Sequence, residues 1–159
     1  RILGVEHLAQ TSKKHLLGSL TKAREEAGDR AVLRGLHFFD EQDRVKRLRR
    51  AMKEKRAPMI LEELRSSGRS SAMFLQNCHS DSDPLDRGVL LGYYLSERFF
   101  SDNALDGSVR VHGGGFAGTV LSCVPASASE EYGKWMADFF GKSSVIPLRL
   151  REQGVLRLL

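Results

Sequence analysis

The chain has 159 residues, of which 41% are hydrophobic and 28% are charged, and its formal net charge is +5. This length suits one domain with a hydrophobic core, and the composition is ordinary for a globular protein. No apolar run approaches the roughly 20 residues that span a membrane, and no signal-peptide pattern opens the chain, so we expect no membrane partner. Cys78 and Cys123 lack the spacing of a metal or redox site, which predicts reduced thiols in a cytoplasmic protein.

The first part of the chain, to about residue 104, carries helical spacing of apolar residues. A short helix around Leu16 is predicted to precede an acidic loop that ends at Gly28-Asp29. Pro58 suits the first turn of a helix, and the run SSGRSS predicts a loop or an interruption. The spacing predicts helices over residues 30–55, 59–64 and 72–78.

Much of the positive charge lies in residues 44–56. On a helix, Val45, Leu48 and Met52 would share one face, and basic residues would fill the rest of the circumference. Such a run is typical of the solvated face of an amphipathic helix. No aromatic residue interleaves with the charges, as a surface that stacks single-stranded nucleic acid requires. We therefore expect no nucleic-acid partner, and a contact with a partner domain or an anionic ligand stays open.

A further helix is predicted to begin at Asp83-Pro84, with Asp83 as its cap and Pro84 as its first residue. Its apolar residues would be Leu85, Leu91, Tyr94 and Leu95.

The second part, from about residue 105, changes to strand-like patterns. Val109 and Val111 alternate with Arg110 and His112, which predicts a strand over 108–112. Buried strand 119–124 would follow a glycine loop, and Ser127 with Glu130 would cap a helix that ends at Gly141. Strands are predicted over 145–150 and 155–159. The element order predicts an α+β fold in which helices pack on one side of an antiparallel sheet.

The loop between the first two strands, GGGFAG, matches the nucleotide-binding pattern GxGxxG. A dinucleotide fold needs these glycines to open a helix, whereas here they precede the apolar strand TVLSCV. A P-loop needs a following Gly-Lys-Ser/Thr, and a protein kinase needs a lysine strand, a catalytic Asp loop and a DFG motif. None of these is present, so the pattern alone is weak. Three consecutive glycines nevertheless exceed what a hairpin turn requires, which favours a loop that another chain or a phosphate approaches closely.

Three segments resemble galactokinases, in the GHMP superfamily of small-molecule kinases. RVHGGGFAG at 110–118 resembles that family's R-M-T-G-G-G-F-G-G motif. RGLHFFDEQDRV at 34–45 resembles its R-A-x-H-x-x-x-E-x-x-R-V helix, and ILEELRSSGRSS at 60–71 resembles its F-G-x-L-M-x-x-S-H-x-S-L segment. The segments occur in the family's order and at about its spacing, so the resemblance covers most of the chain.

The resemblance implies that residues 1–159 are the C-terminal domain of a galactokinase-like enzyme, with a ferredoxin-like α+β fold. The full enzyme would transfer the γ-phosphoryl group of ATP to the anomeric hydroxyl of galactose, with Mg²⁺.

No segment matches the family's phosphate loop, P-x-G-L-S-S-S-A. Because the chain begins at Arg1 rather than at methionine, we expect a fragment of a longer protein or a processed product. The fragment alone would be inactive, since the phosphate loop, the catalytic Asp and most sugar contacts lie in the family's N-terminal kinase domain, its expected partner.

The resemblance assigns no catalytic residue and no metal ligand to this chain. Its loop at the ATP phosphates would consist of Gly113, Gly114, Gly115, Phe116, Ala117 and Gly118. Arg110 and His112 would support this loop, and Phe116 would anchor it in the core. Ala117 stands where the family has a glycine, and His112 stands where it has a threonine. We interpret His37 as a structural bridge between helices and Arg44 as a member of an ion pair or a domain interface.

Two alternatives stay open. The chain could belong to another GHMP kinase, which acts on another sugar, mevalonate or homoserine. It could also be a stand-alone ferredoxin-like binding module that uses its basic helix on RNA or acidic partners.

Overall fold

The computed structural model describes residues 2–116 and 118–149, which fall into two compact units divided after Pro125. The α-helices in the described ranges are α1 (Lys13–Gly18), α2 (Leu20–Lys53), α3 (Ala57–Ser70), α4 (Gly88–Asp102) and α5 (Ser129–Phe140). The two strands, β1 (Ser108–His112) and β2 (Thr119–Cys123), form an antiparallel sheet. The predicted α+β class is therefore confirmed.

Helix α2 extends through the acidic stretch that was predicted to be a loop. Only Gly28 leaves the helical conformation, with φ 80° and ψ 160°. Glycine adopts a positive φ without the steric cost of a Cβ atom, so the chain bends there and resumes the helix. Arg24 and Asp29 form an ion pair of 2.6 Å across the bend.

The side of α2 that packs on its neighbours is not the predicted apolar stripe. Val45 and Met52 are 60% and 56% exposed, whereas Arg44 and Ala51 are buried. Arg44 faces α3, where its guanidinium lies near Glu63 and donates to Ser66. Polar contacts with α3 therefore set the rotation of α2, and they turn the valine and methionine to the surface.

Helix α3 runs through the Ser/Gly stretch that was predicted to interrupt it. A π-turn, Ser71–Leu75, follows directly. Ser67, Gly68 and Ser70 are buried. A Cβ atom at Gly68 would lie 2.5 Å from the Val109 carbonyl oxygen and 2.8 Å from Tyr93 Cε2. The small residues thus let α3 lie directly on β1.

Helix α4 begins later than predicted. The Asp83 carboxylate accepts the amides of Leu85 and Asp86 at 3.0 and 3.2 Å, so it caps a turn, and the helix starts at Gly88. The predicted apolar set is largely wrong: only Leu95 of it is buried, and Leu85, Leu91 and Tyr94 are exposed. The buried side of α4 consists of Val89, Gly92, Tyr93, Leu95, Ser96, Phe99 and Phe100.

The β-hairpin follows the predicted alternation. Val109 and Val111 are each 1% exposed, and β1 pairs with β2 from Ser108–Cys123 to His112–Thr119. Both α3 and α4 contact β1. Val111 packs with Cys78 and Val89 in one core cluster. The second strand, predicted to be buried, is only partly so.

The second unit contains α5, which ends at Gly141 (φ 86°) as predicted. Its start differs, because residues 126–128 form a 3₁₀ turn and Ala128 rather than Ser127 precedes the helix. Trp135 and Phe139 contact edge to face, with ring centres 4.9 Å apart. Residues 145–149 form no strand, which corrects that prediction for the described positions; residue 150 and the predicted strand 155–159 lie outside them.

Replacement of Gly68 by alanine tests the contact between α3 and β1. We expect Gly68→Ala to lower the free energy of unfolding by about 1–3 kcal/mol, because the new methyl group meets main-chain atoms that cannot turn away. Chemical denaturation followed by circular dichroism measures the change. Gly18→Ala is the matched control, since a Cβ atom there has no neighbour within 4 Å. Equal stability of the two variants would contradict the contact.

Candidate functional site

The glycine loop, residues 113–118, connects β1 to β2 as the sequence predicts. The register pairs His112 with Thr119, so six residues lie between the strands. A tight hairpin uses two residues in its loop, so this connection is longer than the turn requires. Gly113, Gly115 and Phe116 have φ values of 68°, 81° and 60°. Ala117 lies outside the described residues, and nothing is concluded about its conformation.

Asn77 holds the loop in place. Its main-chain carbonyl accepts the Phe116 amide at 2.5 Å, and its side-chain Nδ2 donates to the Gly114 carbonyl at 3.1 Å. A Cβ atom at Gly115 would lie 2.1 Å from the Asn77 carbonyl oxygen. Glycine at position 115 is therefore required both by its positive φ and by this close approach.

The role of Asn77 in holding the glycine loop was not predicted from the sequence. It is separated from Gly114 by 37 positions, and no spacing rule connects a residue after a helix to a hairpin so far along the chain. The spacing predicts a helix over 72–78 that would include Asn77, whereas the π-turn ends at Leu75 and Gln76 turns the chain before Asn77.

Phe116 is 49% exposed, so the expectation that it anchors the loop in the core is wrong. Its positive φ and the hydrogen bond from its amide to Asn77 turn the side chain outward instead. Gly113 and Gly114 are also exposed, and Cβ atoms at these two positions would meet nothing within 4 Å. The outer side of the loop is therefore open.

Arg110 and His112 lie on β1 at the base of the loop. Arg110 is half-buried, and its Nε donates to the Val111 carbonyl at 3.1 Å. His112 is exposed, so packing does not hold it. The structure thus brings both predicted support residues next to the glycine loop, with His112 free to meet solvent or a partner.

His37 bridges two helices, as its interpretation predicted. Its Nδ1 lies 2.8 Å from Ser70 Oγ, so it links α2 to α3. Burial lowers the pKa of His37 below its ordinary value of 6.5, and the positive charge of Arg44 lowers it further. The histidine is therefore held in its neutral form.

Arg44 makes the predicted ion pairs. Its guanidinium contacts Glu41 and lies 3.9 Å from Glu63, and it donates to Ser66 at 3.1 Å. Ser67 in turn donates to Glu41 at 3.0 Å. Arg44 thus joins α2 to α3 within the first unit, together with His37.

An open groove of about 350 Å³ runs along α2 beside Arg34, His37 and Leu75. Arg34 Nε donates to the Leu75 carbonyl at 3.1 Å, which ties α2 to the π-turn. This groove could not be predicted from the sequence, because Leu75 of the π-turn lines it and residues 72–78 were predicted to form an ordinary helix.

The described residues contain no group of three or more His, Cys, Asp or Glu side chains that could hold a metal ion. Within the same ranges, none of the helices has the length and apolar character needed to cross a membrane. No protein-family description matches the chain, and no curated protein sequence is significantly similar to it.

The burial of neutral His37 predicts a pH dependence of stability. Because its pKa is lower in the folded state, the unfolded chain binds the proton first as the pH falls, and protonation therefore favours unfolding. We expect the free energy of unfolding to decrease as the pH falls below 6.5, by at most about 1.4 kcal/mol per pH unit for this group. Urea denaturation between pH 5 and about 8 measures the slope.

His37→Asn keeps a side chain that can bond Ser70 but removes the titrating group. We expect the slope in this pH range to be reduced in the variant. An unchanged slope would show that other groups cause it.

Proposed function

We propose that this chain is the C-terminal part of a galactokinase-like sugar kinase. The observation that carries the proposal is the packing of the three segments of the resemblance on one another. The 34–45 segment contacts the 60–71 segment through His37–Ser70 and Glu41–Ser67. The 60–71 segment lies on the 110–118 segment where Gly68 approaches Arg110 and Val109.

The glycine loop would complete the ATP site of the whole enzyme. Phosphoryl transfer depends mainly on positioning and on stabilisation of charge. Exposed Gly113 and Gly114 carry no side chains, so a phosphate loop from another domain can approach their backbone closely. At the base of the loop, Arg110 would add positive charge near the phosphates, and His112 would offer a hydrogen bond to them. These residues position the nucleotide and do not take part in proton or phosphoryl transfer.

The remaining parts of the enzyme would come from the N-terminal kinase domain. ATP and Mg²⁺ would bind mainly there, together with the galactose whose anomeric hydroxyl receives the γ-phosphoryl group. In this proposal the protein acts in the cytoplasm, and the α+β unit described above belongs to a ferredoxin-like layer. The antiparallel hairpin with helices against β1 supports that layer, of which β1 and β2 would be two strands.

Another GHMP kinase, for a different sugar, mevalonate or homoserine, would use the same loop. The substrate contacts of this family lie mostly in its N-terminal half. Galactose is therefore favoured as the substrate by the sequence resemblance alone. The stand-alone binding module is the weaker alternative, because it gives no reason for the open glycine loop. Salt-sensitive RNA binding in a filter assay would favour that module.

Charged side chains in the loop test its role in the intact protein. We expect Gly115→Asp and Gly118→Asp to lower kcat/KM for ATP by about 100-fold, because they displace the backbone that positions the phosphates. Steady-state assays with galactose and ATP measure the effect. Gly28→Asp is the matched control, since Gly28 shares the positive φ of Gly115 and lies in α2 rather than in the loop.

Thermal melts of each variant separate a loss of activity from a loss of folding. The atoms nearest to a Cβ atom at Gly118 are in the Gly115 main chain and the His112 carbonyl, at 3.0 Å or more, so this variant is the milder test. Normal activity in both folded variants would refute a role for the loop in the active cleft.

The division of the enzyme into two parts gives a separate prediction. We expect the purified 159-residue chain to show no ATP turnover with any sugar, because the proposed phosphate loop and catalytic Asp are not in it. An assay of ADP release with galactose measures this. Turnover that co-purifies with the chain would overturn the division.

A further inference from the structure

Asn77 makes the two hydrogen bonds that link the glycine loop to the segment just after the π-turn. Gln76, directly before it, has a left-handed backbone with φ 58°, which ends the π-turn and redirects the chain. The main-chain carbonyl of Asn77 accepts the Phe116 amide, and its side-chain Nδ2 donates to the Gly114 carbonyl. A single residue therefore fixes the loop at two points two positions apart.

The burial of Asn77 indicates that its side-chain amide is there to hydrogen-bond the glycine loop and not only to fill space in the core. The residue is 5% exposed, and its Oδ1 has no hydrogen-bond partner among residues 2–116 and 118–149. A buried acceptor without a partner lowers stability, and an apolar side chain of similar size would avoid that cost. An apolar side chain could not donate to the Gly114 carbonyl, which is the bond that Nδ2 makes.

The close approach at Gly115 makes this link rigid. The position of a Cβ atom at residue 115 lies 2.6 Å from Asn77 Nδ2 and 2.1 Å from its carbonyl oxygen. The loop backbone therefore rests directly on Asn77, while Gly113 and Gly114 stay open on the outer side.

We propose that Asn77 is the positioning residue of the glycine loop. It holds residues 113–116, of which Gly113, Gly115 and Phe116 have positive φ, in the shape that meets the phosphates of ATP. The inference rests on the proposed function for the identity of the ligand. Asn77 is buried beneath the loop, so it acts through the loop backbone and is not a catalytic residue.

The test compares Asn77→Asp and Asn77→Ala with Asn103→Asp in the intact protein. Aspartate has the shape of asparagine but sets an acceptor against the Gly114 carbonyl, and alanine removes the donor without adding charge. Asn103 is the matched control, because its Nδ2 donates to the Phe99 carbonyl at 2.9 Å at the end of α4. If Asn77→Asp fails to fold, the measurements are made on Asn77→Ala alone.

The first measurement is hydrogen–deuterium exchange of residues 113–116 without nucleotide. We expect exchange there to rise about tenfold in both Asn77 variants, as for the loss of one hydrogen bond, and to stay unchanged in Asn103→Asp. Unchanged exchange in folded Asn77 variants would overturn the proposal.

The second measurement is the KM for ATP and for galactose. We expect the Asn77 variants to raise the KM for ATP by about tenfold and to leave the KM for galactose unchanged, because only the glycine loop is loosened. Faster exchange with an unchanged KM and kcat would overturn the role of Asn77 toward ATP. If the wild-type protein phosphorylates no sugar while exchange still responds, the proposed function fails and the positioning of the loop by Asn77 is supported.

Discussion

The close approach of α3 to β1 is the constraint on which the first unit depends. Gly68 has no side chain, and the Val109 carbonyl occupies the space where one would begin. On another side of the same helix, Ser66, Ser67 and Ser70 receive polar side chains from α2. Serine and glycine in α3 thus set its distance to the long helix and to the sheet at once. Larger residues at these positions would separate the layers and move the hairpin that carries the glycine loop.

Polar contacts with α3 orient α2 around Arg44, whereas Val32 and Phe39 of the same helix pack in an apolar cluster. A buried arginine lowers stability unless its charge is compensated, and Glu41 and Glu63 provide that compensation for Arg44. Once Arg44 and His37 face α3, the helical period leaves Val45 and Met52 in solvent. Through these contacts, His37 and Arg44 hold α2 on α3.

Local pattern predicted several elements well. Strand β1 has its predicted bounds, because alternation of valine with polar residues has only one face that can be buried. Gly141 ends α5, because glycine readily adopts the positive φ of 86° that is common just beyond the last residue of a helix. The observed rotation of α2, the late start of α4 and the continuation of α3 through its serines differ from the predictions. Each depends on a neighbour: Glu63 for Arg44, the turn around Asp83 for α4, and β1 for Gly68.

The sequence by itself determined the α+β class, the glycine loop between two strands and the position of Arg110 and His112 on the strand before that loop. Those features follow from residues that are adjacent along the chain. Only the tertiary structure decided what holds the loop, because Asn77 and Gly114 are 37 positions apart and meet through the packing of α3 on β1. It also decided that Phe116 faces outward, since the main-chain bond from Phe116 to Asn77 fixes a positive φ that no local pattern encodes.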